Sequence, residues 1–230
     1  MSSVEASGNP PAVTVAVVDS GVNVPHPHLP RVAGGVTIDL EGKEHQKFVD
    51  RLGHGTAVAA AIHEKAPDAE IWAVKVFDDA LATSVPTLVR ALDWASERGV
   101  HLVNLSLGTP NDFRSGALEP AVRRCVERGT LVVSPREHDG TLWYPGCMEG
   151  VVGVVLDPDH PRGSVTVVDV ADGARAVKAS GYPRPIPGVP PERNLHGISF
   201  AAANVTGVLA RVLAGGRSRR TAAEVLAALE

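Results

Sequence analysis

The tightest constraint on the fold is the run Val13–Val18, apolar but for Thr14, which ends on an acid, Asp19. A strand with one wet face alternates polar and apolar residues. An almost unbroken Val- and Ala-rich run instead predicts a strand covered on both faces, as in a parallel sheet held between two layers of helices.

The chain keeps to that rhythm. Glu70–Phe77, His101–Leu105, Thr130–Val133, Val151–Leu156 and Ser164–Val170 read as further strands. Between them, Gly55–Glu64 reads as an Ala-rich helix and Ser115–Arg128 as another. Ser84–Arg98 is amphipathic, with Val85, Leu88, Val89, Leu92 and Ala95 on one face and Gly99 as its stop signal. This order predicts an α/β fold of three layers, a central and mostly parallel sheet flanked by helices and joined by right-handed crossovers.

The Pro- and Gly-rich stretch Gly181–Pro191 predicts a loop before a helix at Ser199–Leu213, which Gly215 and Gly216 end. Thr221-Ala222-Ala223-Glu224 matches a capping box that opens a last helix. With 230 residues and 44% apolar content, the chain can bury one full core. The expected organisation is a single domain over residues 1–230, with a flexible N-terminus at 1–12 and a C-terminal helix within 217–230.

The net charge is −4, and the basic residues are scattered apart from Arg217, Arg219 and Arg220. That pattern argues against nucleic-acid or membrane binding through a charged face. No apolar run approaches the roughly 20 residues that cross a bilayer. The N-terminal residues lack the pattern of a secretory signal, so the expected location is cytoplasmic. Cys125 and Cys147 are too few for a disulfide framework and read as two buried thiols, a bridge or a reactive thiol being the alternatives.

Three segments carry the chemistry. A serine hydroxyl becomes a nucleophile when an imidazole takes its proton and a buried carboxylate fixes that imidazole's tautomer. Asp19, in Val17-Val18-Asp19-Ser20-Gly21, falls at the carboxyl end of the first strand, where open α/β sheets build their sites. His54 opens a helix between two glycines, Gly53 and Gly55, which let the chain bend and a ligand approach. Ser199 stands in the first turn of a small-residue helix, Gly197-Ile198-Ser199-Phe200-Ala201-Ala202-Ala203, where free N–H groups can receive an oxyanion. Taken singly, each also fits a structural role as a turn or cap residue.

Together they stand in the order Asp, His, Ser. The sequence resembles the subtilase family of subtilisin-like serine proteases. Asp19–Gly21 is similar to that family's Asp-Ser/Thr-Gly, Gly53–Thr56 to its Gly-His-Gly-Thr, and Gly197–Ala202 to its Gly-Thr-Ser-Met-Ala-Ala. His26-Pro27-His28-Leu29, Ala73-Val74-Lys75-Val76 and Val103–Gly108 resemble further family segments, as does Tyr144-Pro145 with Val151–Val155, and the likeness runs from about Val13 to Leu213. It implies a catalytic triad of Asp19, His54 and Ser199. It also implies that Ser106, Leu107 and Gly108 form one wall of the primary substrate pocket.

Departures from the pattern raise further expectations. The family's oxyanion asparagine is missing from Ser134–Gly140. Ungapped alignment puts His138 in its slot, where the side chain would join the Ser199 N–H in holding the oxyanion. Arg136 is the other candidate donor, and a rebuilt loop in which neither reaches the site is the third possibility. Ile198 and Phe200 imply altered packing, Phe200 also a narrower cleft. The stretch between His54 and Ala73 is short and His28 replaces an acid, so no calcium is expected there. No other metal or cofactor is expected, His26 and His28 lacking a nearby third ligand.

No counterpart of the family's pro-domain is expected from the 230 residues. The expected function is therefore a serine endopeptidase acting on a dedicated intracellular peptide or protein. A non-hydrolytic peptide-tailoring enzyme, either a cyclase or a transpeptidase, is the first alternative. A pseudoprotease that binds peptides without cutting them is the second.

Overall fold

The computed structural model describes residues 12–216 and 220–230. The expected N-terminal tail, apart from Ala12, lies outside the described residues, as do Arg217 and Arg219.

The first strand, β1 (Thr14–Asp19), lies near the middle of a ten-stranded sheet. Its two parallel neighbours are β4 (Glu70–Lys75) and β5 (Leu102–Leu105). On β4's side the sheet continues through β2 (Gly34–Ile38) to β3 (Glu44–His45). On β5's side follow β6 (Leu131–His138), β8 (Val151–Leu156), β10 (Arg175–Ala179) and β9 (Val165–Asp169), while β7 (Thr141–Leu142) pairs with β6 alone. The sheet is mostly parallel; β2–β3, β6–β7 and β9–β10 are its antiparallel pairs.

Helices α1 (His54–Lys65) and α4 (Ile198–Ala214) pack together on one face, with α5 (Ala222–Ala227) against β8. Helices α2 (Val85–Glu97) and α3 (Ser115–Glu127) pack together on the other. Strand β1 explains why its sequence is unbroken: Val15 and Val17 enter the core under α1 and α4, whereas Ala16 and Val18 enter the core under α2 and α3. The alternation of the strand sends Asp19, the next odd residue, to the α1–α4 face.

Ser84 caps α2 by accepting from the Thr87 N–H at 3.2 Å. At Thr221 the capping box forms as the sequence predicts. Both cysteines are free; Cys125 is buried beneath α2, which pushes its thiol up to about 12, while Cys147 is only partly buried. Among the described residues, no helix is long and apolar enough to cross a membrane.

Four strands escape the sequence reading: β2, β3, β7 and β10. The largest local departure is at β6. The segment Ser134–His138, expected as a loop, extends the strand past a bulge at Pro135–Glu137 and returns through Asp139-Gly140 into β7. Asp139 and Gly140 have φ of 50° and 74°, the doubly left-handed conformation of a two-residue hairpin turn.

Candidate active site

Asp19 ends β1 wholly buried at the carboxyl edge of the parallel strands. Its Oδ1 accepts from the Ser20 N–H at 2.7 Å and meets His54 Nδ1 at 2.7 Å. With Nδ1 held there, Nε2 is the ring nitrogen left for chemistry. Burial, the largest single influence on His54, disfavours the imidazolium. The bond to Asp19 and the charges of Asp19 and Asp50 outweigh it, so the His54 pKa is raised above 6.5.

The two glycines beside His54 divide their roles. Gly53 takes φ of 76° and turns the chain into α1. At Gly55 the close approach is to the protein's own backbone rather than to a ligand. A Cβ there would overlap the Gly21 carbonyl oxygen and lie 3.1 Å from Asp19 Cβ. Only glycine lets the first turn of α1 sit this near to the end of β1.

Asp50, which sequence reasoning passed over, fastens those two elements together. Its Oδ1 accepts from Ser20 Oγ at 2.8 Å, the Leu52 N–H at 3.0 Å and the Gly53 N–H at 2.8 Å. Its Oδ2 accepts from the Thr56 N–H at 2.9 Å and Thr56 Oγ1 at 2.6 Å. Ser20 Oγ in turn accepts from the Gly55 N–H at 2.9 Å. One carboxylate thus caps α1, which starts with His54, and grips the residue after Asp19. Burial opposes its charge, yet the Thr56, Ser20 and Gly53 hydrogen bonds hold its pKa below 3.8. An acid before a helix start, in Asp50-Arg51-Leu52-Gly53-His54, is the signal that would have found it. Beneath, the buried Lys75 donates Nζ–H to the Ser20 and Phe77 carbonyls at 3.0 and 2.7 Å, fixing the chain beyond β1.

Ser199 lies in the first turn of α4 on the same face. Its Oγ donates to the Ser106 carbonyl at 3.0 Å, and not to His54. Ser106 is itself anchored to α4: Asn104 Nδ2 donates to Ser106 Oγ at 2.7 Å, and Thr206 Oγ1 donates to Asn104 Oδ1 at 2.9 Å. Phe200 does not narrow the cleft; it is 2% exposed and packs its ring 5.3 Å from that of His54. The segment Ser106–Gly108 leaves β5 along this edge, with Gly108 pressed between the Tyr144 carbonyl and the Trp143 ring.

The structure brings Asp19 and His54 into contact and joins Ser199 to the Ser106 edge. His138 ends β6 at the hairpin, half exposed, with Nε2 3.6 Å from the Asp139 carboxylate. Arg136 is buried and ion-paired with Asp172, in the turn between β9 and β10.

The model of the subtilase family matches residues 11–135. M-protease of Shouchella clausii is 34% identical over 217 residues, covering 87% of this chain and 53% of that protein. Subtilisin Savinase of Lederbergia lenta is 32% identical over 215 residues, covering 88% and 74% respectively. The chain thus spans about half the length of the first relative. Among solved structures, a prenylagaramide maturation protease superposes with a TM-score of 0.69 at 26% identity, over 94% of this chain and 82% of that one.

Proposed function

The chain belongs to the subtilase family, and from that premise we propose that it is a serine endopeptidase acting through Asp19, His54 and Ser199 on a dedicated peptide or protein substrate. The observation that carries the proposal is the 2.7 Å bond from His54 Nδ1 to the buried Asp19, made on the face where α4 begins and carries Ser199 in its first turn. A carboxylate so placed fixes the tautomer whose Nε2 can accept a proton, and stabilises the imidazolium that results.

In the proposed cycle, Ser199 Oγ exchanges the Ser106 carbonyl for His54 Nε2 by rotation about its Cα–Cβ bond. The hydroxyl attacks the peptide carbonyl, His54 takes its proton and passes it to the departing amine, and water then hydrolyses the acyl-enzyme. Asp19 keeps its charge throughout. A fluorophosphonate probe tests this: wild type is expected to label at Ser199, and Ser199→Ala to lose the label. Equal labelling of both proteins would refute the triad.

The oxyanion is held in this proposal by the Ser199 N–H and the side chain of His138, the last residue of β6 before the hairpin turn. His138→Ala is expected to lower kcat by about 10–10³-fold with little change in KM, as removal of an oxyanion donor does. An unchanged kcat would assign the role to other groups.

Acyl transfer to an amine of the substrate in place of water is the alternative form of the reaction on the same three residues. Product mass separates the two, since hydrolysis adds a water and cyclisation without net cleavage adds nothing.

A further inference from the structure

Next to Gly53, the neighbour of His54, a cavity of about 580 Å³ opens between α1 and the loop that leads into α4. It borders the Gly53 cap of α1 and, within the helix, Thr56, Ala57 and Ala60, the first two within one turn of His54. Its other walls carry His26, His28, Arg184 and Arg193, with Ile186 and Leu195 exposed at the rim. No acidic side chain lines it.

The cations there are not spent on ion pairs. Arg184 makes a single long bond, from Nη1 to the His28 carbonyl at 3.4 Å, and Arg193 is exposed with no side-chain partner among the described residues. Glu64, whose charge acts on His28, is already paired with Arg162. The local field is positive: after burial, the Arg184 charge is the next influence that holds both the His28 and His63 pKa values below 6.5. On a chain of net charge −4, this is a local reversal of sign.

Chemistry supplies the direction. The imidazole gives its proton to the departing amine, so the leaving segment of the substrate exits on the His54 side, over this cavity. Resting on the endopeptidase proposal above, we infer that the cavity is a subsite for acidic side chains, Asp or Glu, in the part of the substrate that follows the cut bond. Arg184 and Arg193 pair with the carboxylates, while Ile186 and Leu195 cover the methylenes.

Two measurements test this. In the first, quenched peptides share one sequence before the cut and carry Asp-Glu or Asn-Gln after it, with amidated C-termini so that only side chains differ in charge. Two partly exposed charge pairs lead to an expected kcat/KM preference of about 2–30-fold for the acidic peptide at low salt, fading at 1 M salt. In Arg193→Gln and Arg184→Gln the acidic-to-neutral ratio is expected to fall towards one, and Arg184→Lys to recover part of it. Equal rates on the two peptides, or a ratio that survives both substitutions, would overturn the inference and leave the endopeptidase proposal standing.

The second measurement needs no catalysis. The ring signals of His26 and His28 are followed by NMR while amidated Ala-Asp-Glu or Ala-Asn-Gln is added to the wild-type protein. Shifts with the acidic tripeptide alone support the subsite, and identical responses to the two refute it. Should wild type neither cut peptides nor label at Ser199, the endopeptidase proposal fails, and this titration still decides whether the cavity binds acidic side chains.

Discussion

Asp19→Asn is expected to lower kcat by about 10⁴-fold, roughly 5.5 kcal/mol of transition-state stabilisation. The two side chains have nearly the same shape, so the loss comes from hydrogen-bond polarity. Asp19 Oδ1 accepts from both the Ser20 N–H and His54 Nδ1. Whichever amide atom takes the place of Oδ1 faces both groups: an oxygen there keeps the bonds but not the charge that stabilises the imidazolium, whereas an NH₂ there opposes the Ser20 N–H and donates to Nδ1, which moves the imidazole proton to Nε2 and blocks the base. Oδ2 is buried without a partner, so an amide nitrogen placed there would find no acceptor.

The pH profile separates this effect from misfolding. The His54 pKa is raised in the folded protein, and the neutral ring is the active form, so wild-type kcat/KM should rise with pH through a value above 6.5. For stability the sign is opposite. A raised folded pKa stabilises most below the unfolded value of 6.5, and that contribution is lost as pH rises through the folded one. In Asp19→Asn the acid limb should move down and this pH-dependent stabilisation should shrink. A residual kcat within tenfold of wild type would refute the role given to Asp19.

The second large effect is expected at Asp50, a residue that touches no substrate. Asp50→Ala removes the acceptor of five hydrogen bonds, from Ser20, Leu52, Gly53 and twice from Thr56. Several of these donors are buried and cannot turn to water. The expected loss is on the order of 3–5 kcal/mol of stability, read from denaturant unfolding. The folded Asp50 pKa is held below 3.8, so its stabilisation is present above 3.8 and disappears as pH falls through the folded value. The gap between wild type and the variant should therefore narrow as pH falls below 3.8.

Asp50→Asn keeps one acceptor oxygen and most of the geometry, which makes it the test of positioning. Its charge is one of the influences that raise His54, so the acid limb of kcat/KM should shift down while KM changes little. Loss of stability with an unmoved limb would reduce Asp50 to a helix cap.

The fold was largely legible because its signals are local. The apolar run of β1 can be satisfied only between two helical layers, and Val15 and Val17 do face one core while Ala16 and Val18 face the other. Ser84 and Thr221 cap the helices they announce. The hairpin at Asp139-Gly140 was missed although that dipeptide is a turn signal in its own right. The resemblance of the segment to the family's oxyanion loop masks that signal, and the register of β6 against β8 cannot be read from either strand alone. Short β10 was passed over because Arg175-Ala176-Val177-Lys178-Ala179 owes its place to pairing with Val154–Leu156 and Val165–Asp169 on its two sides.

The sequence by itself determined the layered sheet, the acid at the end of its central strand, and the histidine and serine at the starts of two helices, because periodicity and caps act over a few residues. Only the tertiary structure decided that Asp50 ties Ser20 to α1, that Ser199 rests on Ser106, that Arg136 is held by Asp172, and that Arg184 and Arg193 share a cavity with two histidines. Hydrogen bonds and charges are satisfied by whatever the fold brings within about 3–4 Å, and separation along the chain carries no record of that distance.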